Sequence, residues 1–323
     1  MSETTTPENL YTVAFYNLEN LFDVYDDPNT LDDDFTPEGR KKWNAKRYQR
    51  KIKKLSAVIS QIGTDESNTA PIVIGLAEVE NLQVLTDLVN SKKLRGFHYG
   101  IVHYDSPDER GIDVAFLYQK KYFEYLDSKT VTLLLYDEEG QRDYTRDILW
   151  VKGKLKGELF YFIVNHWPSR RKGTAETEHK RIGAAKLNHE IIATINDTTE
   201  NAKIIIMGDF NDGPRNTSIK QYLVTEQFYN PFESIIDKGN GSLKYDDEWL
   251  LFDQIILSKN FFDTSVKVPA FKQAAVFDDY FLKEWKGKRK GSPFRTYIGK
   301  WHQGGYSDHF PVYVTLQYSL EDS

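Results

Sequence analysis

The feature that most constrains the fold is that the apolar residues come in short runs, rich in Val, Ile, Phe and Tyr, each closed by turn-forming or polar residues. The runs fall at residues 12–16, 72–78, 113–118, 159–165, 203–209, 252–257 and 311–316. They read as buried strands, and none approaches the roughly 20 apolar residues of a membrane-crossing helix. Between them, apolar residues recur three and four positions apart. Over residues 44–62, Ile52, Leu55, Val58, Ile59 and Ile62 share one face opposite a Lys- and Arg-rich one, and residues 81–94 and 175–195 are patterned likewise. Strands and helices alternate throughout, which places the chain in the α/β class.

At 323 residues the chain could be two average domains or one large one. No Gly/Pro/Ser-rich linker, repeat or low-complexity tract divides it, so residues 10–318 are expected to form a single domain after a polar, flexible N-terminus at residues 1–9. That N-terminus lacks the basic and apolar regions of a secretion signal, and a cytoplasmic location is expected. With 40% hydrophobic and 28% charged residues the composition is that of a globular protein, which excludes disordered and collagen-like classes. The absence of cysteine excludes disulfides, thiolate zinc sites and cysteine nucleophiles. A net charge of −6 argues against coating nucleic acid by bulk charge but leaves room for local basic patches. Protein partners are not indicated, and a monomer is favoured.

Two insertions interrupt the alternation, near residues 23–43 and 283–305. The first carries Asp23, Asp26, Asp27, Asp32, Asp33 and Asp34; its spacing lacks the terminal Glu of an EF-hand, which favours a solvated loop. The second interleaves Lys283, Lys286, Lys288, Arg289, Lys290, Arg295 and Lys300 with Trp285, Phe294 and Tyr297. Cations among aromatics suit phosphates and stacked bases, although the rings serve equally as anchors to the body.

The chemistry lies at the ends of the runs: Asn17-Leu18-Glu19-Asn20, Glu78-Val79-Glu80-Asn81, Asn165-His166-Trp167, Gly208-Asp209-Phe210-Asn211-Asp212, Asp253-Gln254-Ile255 and Ser307-Asp308-His309. Carboxylates with an Asn amide are hard oxygen donors suited to Mg²⁺ or Mn²⁺. A His beside one Asp, with another Asp to hold its ring, is an acid/base arrangement. Phosphodiester hydrolysis needs a water, an oriented base, a clamp on the phosphoryl oxygens and help for the leaving oxygen, and this inventory supplies each. Taken singly, each residue has a plainer reading. Asn17 can be a cap, His166 a half-buried structural histidine beside Trp167, and Asp253 the cap of a strand. Glu78 has a rival in Glu80, since strand positions two apart share a face.

In order along the chain, Phe15-Tyr16-Asn17, Leu76-Ala77-Glu78, Asn165-His166, Gly208-Asp209-Phe210-Asn211, Phe252-Asp253-Gln254-Ile255 and Ser307-Asp308-His309-Phe310-Pro311 resemble the endonuclease/exonuclease/phosphatase superfamily. The resemblance implies a four-layer α/β sandwich, two mixed sheets packed face to face with helices outside, and a site at one edge. It implies Glu78 as the principal metal carboxylate, with Asn17 and Asp308 completing the shell around Mg²⁺ or Mn²⁺. Asp209 and Asn211 would position the attacking water and the phosphate. His309, oriented by Asp253, would contact the phosphate or act as base, and His166 would stabilise transition-state charge or serve the leaving group. Arg170 and Arg171, with Lys172, could grip a substrate phosphate, and Arg295 and Tyr297 are further candidates for substrate contact. Arg110, just before a strand, either reaches the site or closes a turn through an ion pair.

The expected activity is divalent-metal-dependent phosphodiester hydrolysis of DNA or RNA by an activated water. The same scaffold also serves phosphatases and phospholipid phosphodiesterases. A non-catalytic binding module would have lost a core residue, and none is missing here.

Overall fold

Period-two alternation gives every strand two faces, and in this protein both faces of the central strands are buried. The computed structural model describes residues 9–263 and 269–318. Residues 1–8 of the expected flexible N-terminus lie outside that range, and Asn9 already opens the first strand. The two large sheets have six strands each. In chain order these are β1 (Asn9–Leu21), β2 (Val73–Val79), β3 (Tyr99–His103), β4 (Asp113–Gln119), β5 (Phe123–Val131) and β6 (Ile148–Leu155). Then follow β7 (Glu158–His166), β8 (Lys203–Asp209), β9 (Phe228–Tyr229), β10 (Asp253–Ser258), β11 (Ala270–Val276) and β12 (Val312–Tyr318).

The first sheet has the order β11-β12-β1-β2-β4-β3 and the second β9-β10-β8-β7-β6-β5. Each is mixed in the same way. One central pair is parallel, β1 with β2 and β7 with β8, and every other pair is antiparallel. A parallel pair requires a crossover, and each crossover carries a long helix: α1 (Ala45–Ile59) leads from β1 to β2, and α3 (Glu178–Asn196) from β7 to β8. A shorter helix, α2 (Leu82–Val89), follows β2.

Alternate residues of one strand enter different cores. Val13, Phe15, Phe116 and Val314 of the first sheet meet Phe162, Val164, Met207 and Ile255 of the second in the central layer. Their neighbours Ala14, Tyr16, Ile74 and Leu76 pack outward against Leu55, Val58 and Ile59 of α1 and Leu85 and Leu88 of α2. On the far side Ile163, Ile204 and Ile206 pack against Ala184, Ala185, Ile191 and Ile192 of α3. The result is helix, sheet, sheet, helix. Gly75 marks a close approach of the two sheets, since a Cβ there would lie 2.6 Å from Met207 Sδ and 3.1 Å from both Phe15 and Val164.

The first two helices start one residue later than the apolar period suggests because Asn44 and Asn81 are N-caps, their side chains accepting from the Arg47 and Val84 backbone N–H groups. α2 ends at Val89, short of the expected 94. Five strands of the two large sheets escaped the run pattern: β3, β5, β6, β9 and β11. β5 and β11 are sheet edges with little fully buried surface, so their apolar signal is diluted. The two insertions are locked together. The Tyr297 ring lies 6.1 Å from Phe35 and 6.0 Å from Trp43, and its hydroxyl donates to the Lys41 carbonyl at 3.0 Å. Among the described residues no helix is long and apolar enough to cross a membrane.

Candidate active site

The alternation that fills the central layer also builds the site, because its inward-facing rows end on polar residues at one end of the sandwich. Val13 and Phe15 lead to Asn17, Phe162 and Val164 to His166, Ile205 and Met207 to Asp209, and Leu257 and Ile255 back to Asp253. Register then sets them side by side: Asp209 pairs with His166 on one neighbouring strand and with Asp253 on the other. Across the gap between the sheets, Asn17 Nδ2 donates to Asp209 Oδ2 at 3.0 Å, while its Oδ1 accepts the Glu19 N–H at 2.9 Å. Asn165 has the opposite parity. It faces α3, bonded to Asn188 and Trp167, and takes no part in the site.

Backbone irregularity sends Glu78 and Glu80 to different surroundings. Register shifts on both sides of Glu78, and its φ is +61°. A bulge cancels the rule that positions two apart share a face and re-aims the side chain. Glu78 Oε2 accepts the Asn20 N–H at 2.8 Å, and Oε1 faces His166 Nε2 at 4.0 Å. Glu80 instead turns under the acidic insertion, where Oε2 accepts the Asp23 N–H. Glu19, Asn20 and Asn211 share the left-handed conformation, with φ of +51°, +53° and +51°. Side chains rarely adopt it without compensation, and clusters of it mark functional sites.

His309 stands on the loop before β12, its backbone N–H held by Ser307 Oγ at 3.1 Å. Its Nδ1 lies 2.7 Å from Asp253 Oδ2, which also accepts from Ser242 Oγ at 2.5 Å. Nε2 points into the site, 3.9 Å from both Asp209 Oδ2 and Asp308 Oδ1. Burial would lower the imidazole pKa, but Asp253, then Asp209 and Asp308, hold it well above the ordinary value. Asp209 is pushed up to about 6 by burial and by Asp253, against the pull of His309 and the Asn211 N–H. His166 goes the other way: burial, with Arg146 and Arg110 nearby, holds it well below the ordinary value, so it is neutral. Its Nδ1 has no hydrogen-bond partner. Burial alone would raise Asp308, but His309, Arg295 and Lys51 pull it down.

The expected substrate contacts are placed unevenly. Arg295 is at the site, paired with Asp308 through Nη2 and 3.8 Å from Glu19 Oε1. Arg171 is exposed and its charge is felt at His166. Arg170 is engaged within the protein, donating to the Asn211 carbonyl at 2.6 Å and pairing with the buried Asp212. Tyr297 is 6% exposed in the contact between the insertions. Asn211 Nδ2 donates to the Trp167 carbonyl at 2.9 Å, and its backbone N–H to Asp209 Oδ1 at 2.9 Å, so it fixes Asp209.

Several working residues were not singled out from the sequence. Lys51 interrupts the apolar stripe of α1 between Tyr48 and Leu55. A lysine at that spacing is the signal that could have found it. Buried, it donates to Thr296 Oγ1 at 2.5 Å, the Tyr306 carbonyl at 2.7 Å and the Glu19 carbonyl at 3.2 Å. The Glu19 carboxylate in turn accepts the Thr296 and Tyr297 N–H groups at 2.6 and 3.2 Å. Together they bind the tip of β1 to the basic insertion. Arg146, bridging Asp108 at 2.9 Å and the Trp167 carbonyl at 2.7 Å, follows no motif.

The donor set suits a divalent cation. Glu78, Asp209, Asp253, Asp308 and Glu19 crowd one region, and burial raises the proton affinity of Asp209 and Glu19. A bound cation relieves that strain. Asp209, Asp253 and His309 offer ligand atoms within 4.8 Å of one another, although His309 Nδ1 and Asp253 Oδ2 are already engaged with each other.

The sequence signature of the Endonuclease/Exonuclease/phosphatase family matches residues 12–318. Among curated proteins no sequence matches the chain. Solved structures share its fold. An endonuclease/exonuclease/phosphatase family protein from Bacteroides thetaiotaomicron is 19% identical, with 96% of each chain covered and a TM-score of 0.61. TDP2 from D. rerio, complexed with single strand DNA product, is 14% identical over 96% of this chain and 99% of that chain, TM-score 0.58. A mannosyl-6-phosphatase from B. thetaiotaomicron VPI-5482 is 19% identical over 95% and 99%, TM-score 0.59.

Proposed function

The chain belongs to the endonuclease/exonuclease/phosphatase family, whose members are phosphoesterase hydrolases, and on that premise we propose that it is a Mg²⁺- or Mn²⁺-dependent phosphodiesterase acting on DNA or RNA. The observation that carries the reading is the chain of contacts Asp253, His309, Asp209, with its 2.7 Å and 3.9 Å steps. His309 Nε2 and Asp209 Oδ2, 3.9 Å apart, can both hydrogen-bond to one oxygen atom lying beside the line that joins them.

Asp209, with its pKa near 6, is matched to the task of a base at neutral pH. It takes the proton of the attacking water as the new P–O bond forms and the bond to the leaving oxygen breaks. His309, kept protonated by Asp253, donates to a phosphoryl oxygen and balances its growing charge. Neutral His166, 3.8 Å from Asp209 Oδ2 and 4.0 Å from Glu78 Oε1, donates a hydrogen bond on the opposite side. Asn17 and the Asn211 N–H hold Asp209 in place. Glu78 and Asp308, with Asn17 alongside, would hold the cation, which when bound neutralises phosphoryl and leaving-group charge.

Preference for nucleic acid rests on the basic insertion. Lys288, Arg289 and Arg295 join Lys244 in lining a cleft of about 260 Å³ that ends at Asp308. Asp246 and Asp247 share the cleft, so its cations are spaced rather than massed. A second reading, phosphatase action on a sugar phosphate, has support in the equal structural likeness to the mannosyl-6-phosphatase.

Nicking of supercoiled plasmid with Mg²⁺ or Mn²⁺, against chelator and with Asp209→Asn as the blank for contaminating nuclease, tests the proposal. Metal-dependent nicking lost in the variant is expected. A folded, metal-loaded protein that leaves plasmid and RNA intact but hydrolyses sugar phosphates would overturn the nucleic-acid reading in favour of the second.

A further inference from the structure

We propose that Arg181, acting through Asp212 and Arg170, is a positioning residue for hydrolysis: it fixes the turn that follows β8 and, through that turn, the aim of the Asp209 carboxylate. The inference rests on the reading of Asp209 as the base. Arg181 lies in the first turn of α3, on the face that buries Ala184 and Ala185, and it is itself fully buried. A guanidinium sealed from solvent touches neither substrate nor cation. Whatever it contributes to the reaction passes through its partners.

Those partners lie on two loops. Nη1 donates to Thr177 Oγ1 at 2.7 Å and Nη2 to the Thr174 carbonyl at 2.8 Å, which ties down the segment between β7 and α3. Nε faces Asp212 Oδ2 at 2.7 Å. The buried Asp212 carboxylate also accepts from Ser218 Oγ at 2.5 Å and from Arg170 Nη2. Arg170 donates from Nε to the Asn211 carbonyl at 2.6 Å and from Nη2 to Asn216 Oδ1 at 2.9 Å. Asn211 then delivers its own N–H to Asp209 Oδ1 at 2.9 Å. Every link from Arg181 to Asp209 is thus a direct contact.

Asn211 needs such a grip. Its φ of +51° is a conformation that a side chain keeps only when the surroundings over-determine it. Relaxation to an ordinary backbone angle would swing its N–H away from Asp209. Arg170 holds the carbonyl before Asp212, and Gln254 Nε2 holds the carbonyl after it at 2.7 Å, so the peptide groups on both sides of Asp212 are pinned.

Stability alone does not account for the arrangement. Burying charges costs desolvation that their pairing roughly offsets, and apolar replacement of a whole buried ion-paired group is often neutral or stabilising. α3 is already seated on its sheet by Ala184, Ala185, Ile191 and Ile192. What two guanidinium groups around one carboxylate add is direction, because the planar fork fixes the angle as well as the distance of each contact.

The test is steady-state kinetics of the full-length protein on the phosphoester that wild type turns over, plasmid DNA or a sugar phosphate, beside urea unfolding. Arg181→Met combined with Asp212→Leu removes both buried charges together and should leave the urea midpoint close to wild type. Its kcat should fall about 30- to 100-fold with KM within about twofold, since a misaimed base slows turnover without weakening binding. Arg181→Lys, which keeps a cation facing Asp212, should return kcat to within about tenfold of wild type. If the double variant does not fold, Arg170→Met at the partly exposed end of the relay decides the matter, with the same split between kcat and KM expected. Wild-type kcat in the folded double variant or in Arg170→Met, or a loss that appears in KM instead, would overturn the proposal. Asp209→Asn separates the two failures: turnover retained there removes the base itself, whereas turnover lost there and kept in the double variant removes only the relay.

Discussion

Glu80→Gln separates the two carboxylates at the tip of β2. Glu80 is half-buried beneath the acidic insertion, and its desolvation, then Asp23, Asp32 and Asp27, push its carboxyl from 4.5 up to about 8. The unfolded chain releases this proton near 4.5, so between that pH and about 8 the folded protein holds a proton that the unfolded chain does not. Stability therefore falls with rising pH across this window: the contribution is complete below the lower pKa and lost once pH passes the upper one. At about 1.4 kcal/mol per pH unit the full window corresponds to about 4 to 5 kcal/mol, and solvent access to the side chain reduces this to about 2 kcal/mol. The amide keeps an acceptor for the Asp23 N–H and has no proton to lose. In urea titrations near pH 5, 7 and 9, the variant should gain about 2 kcal/mol on wild type from the lowest to the highest pH, with an unchanged m value. Its phosphoesterase activity should stay within about threefold of wild type, while Glu78→Gln loses roughly a hundredfold or more and shifts the metal titration. A stability difference that is flat with pH, or an activity loss as deep as that of Glu78→Gln, would refute the assignment.

Three further outcomes follow from the site. His309→Ala and Asp253→Asn should each lower kcat by roughly a thousandfold, and the double variant should lose little more, because the two act as a unit. In wild type, kcat/KM should rise as pH climbs through about 6 with ionisation of Asp209. It should fall at high pH as His309 loses its proton; a profile without the acid limb would remove Asp209 from the role of base. Arg170→Met should destabilise by about 1 to 3 kcal/mol, since Asp212 retains Arg181 at 2.7 Å, and should leave KM unchanged. A KM raised tenfold at unaltered stability would make Arg170 a substrate clamp after all.

The central strands and the long crossover helices were legible in the sequence because burial on both faces leaves uninterrupted apolar runs, as at Lys203–Asp209, where expected and observed bounds coincide. Edge strands were not, because β5 exposes most of its length and carries no pattern to read. The site tips were visible as polar residues closing apolar rows. What the sequence could not convey was the bulge at Glu78, since a rule of alternation assumes a regular backbone and separates Glu78 from Glu80 only once the irregularity is known. Nor could it show that Arg170 and Tyr297 are committed to internal partners, because a cation or an aromatic in a loop reads the same whether it faces ligand or protein.

β12, the last strand of the described residues, does not lie at an edge. It is inserted between β11 and β1, pairing Tyr318 with Asn9 and Val312 with Phe15. The first strand, flanked by β2 on one side, thus has its other side open until β12 is made, and Asp308 and His309 arrive only with the segment that leads into β12. A chain short of that segment can complete every strand of the second sheet, yet it has neither the imidazole that meets Asp253 nor the carboxylate that meets Arg295.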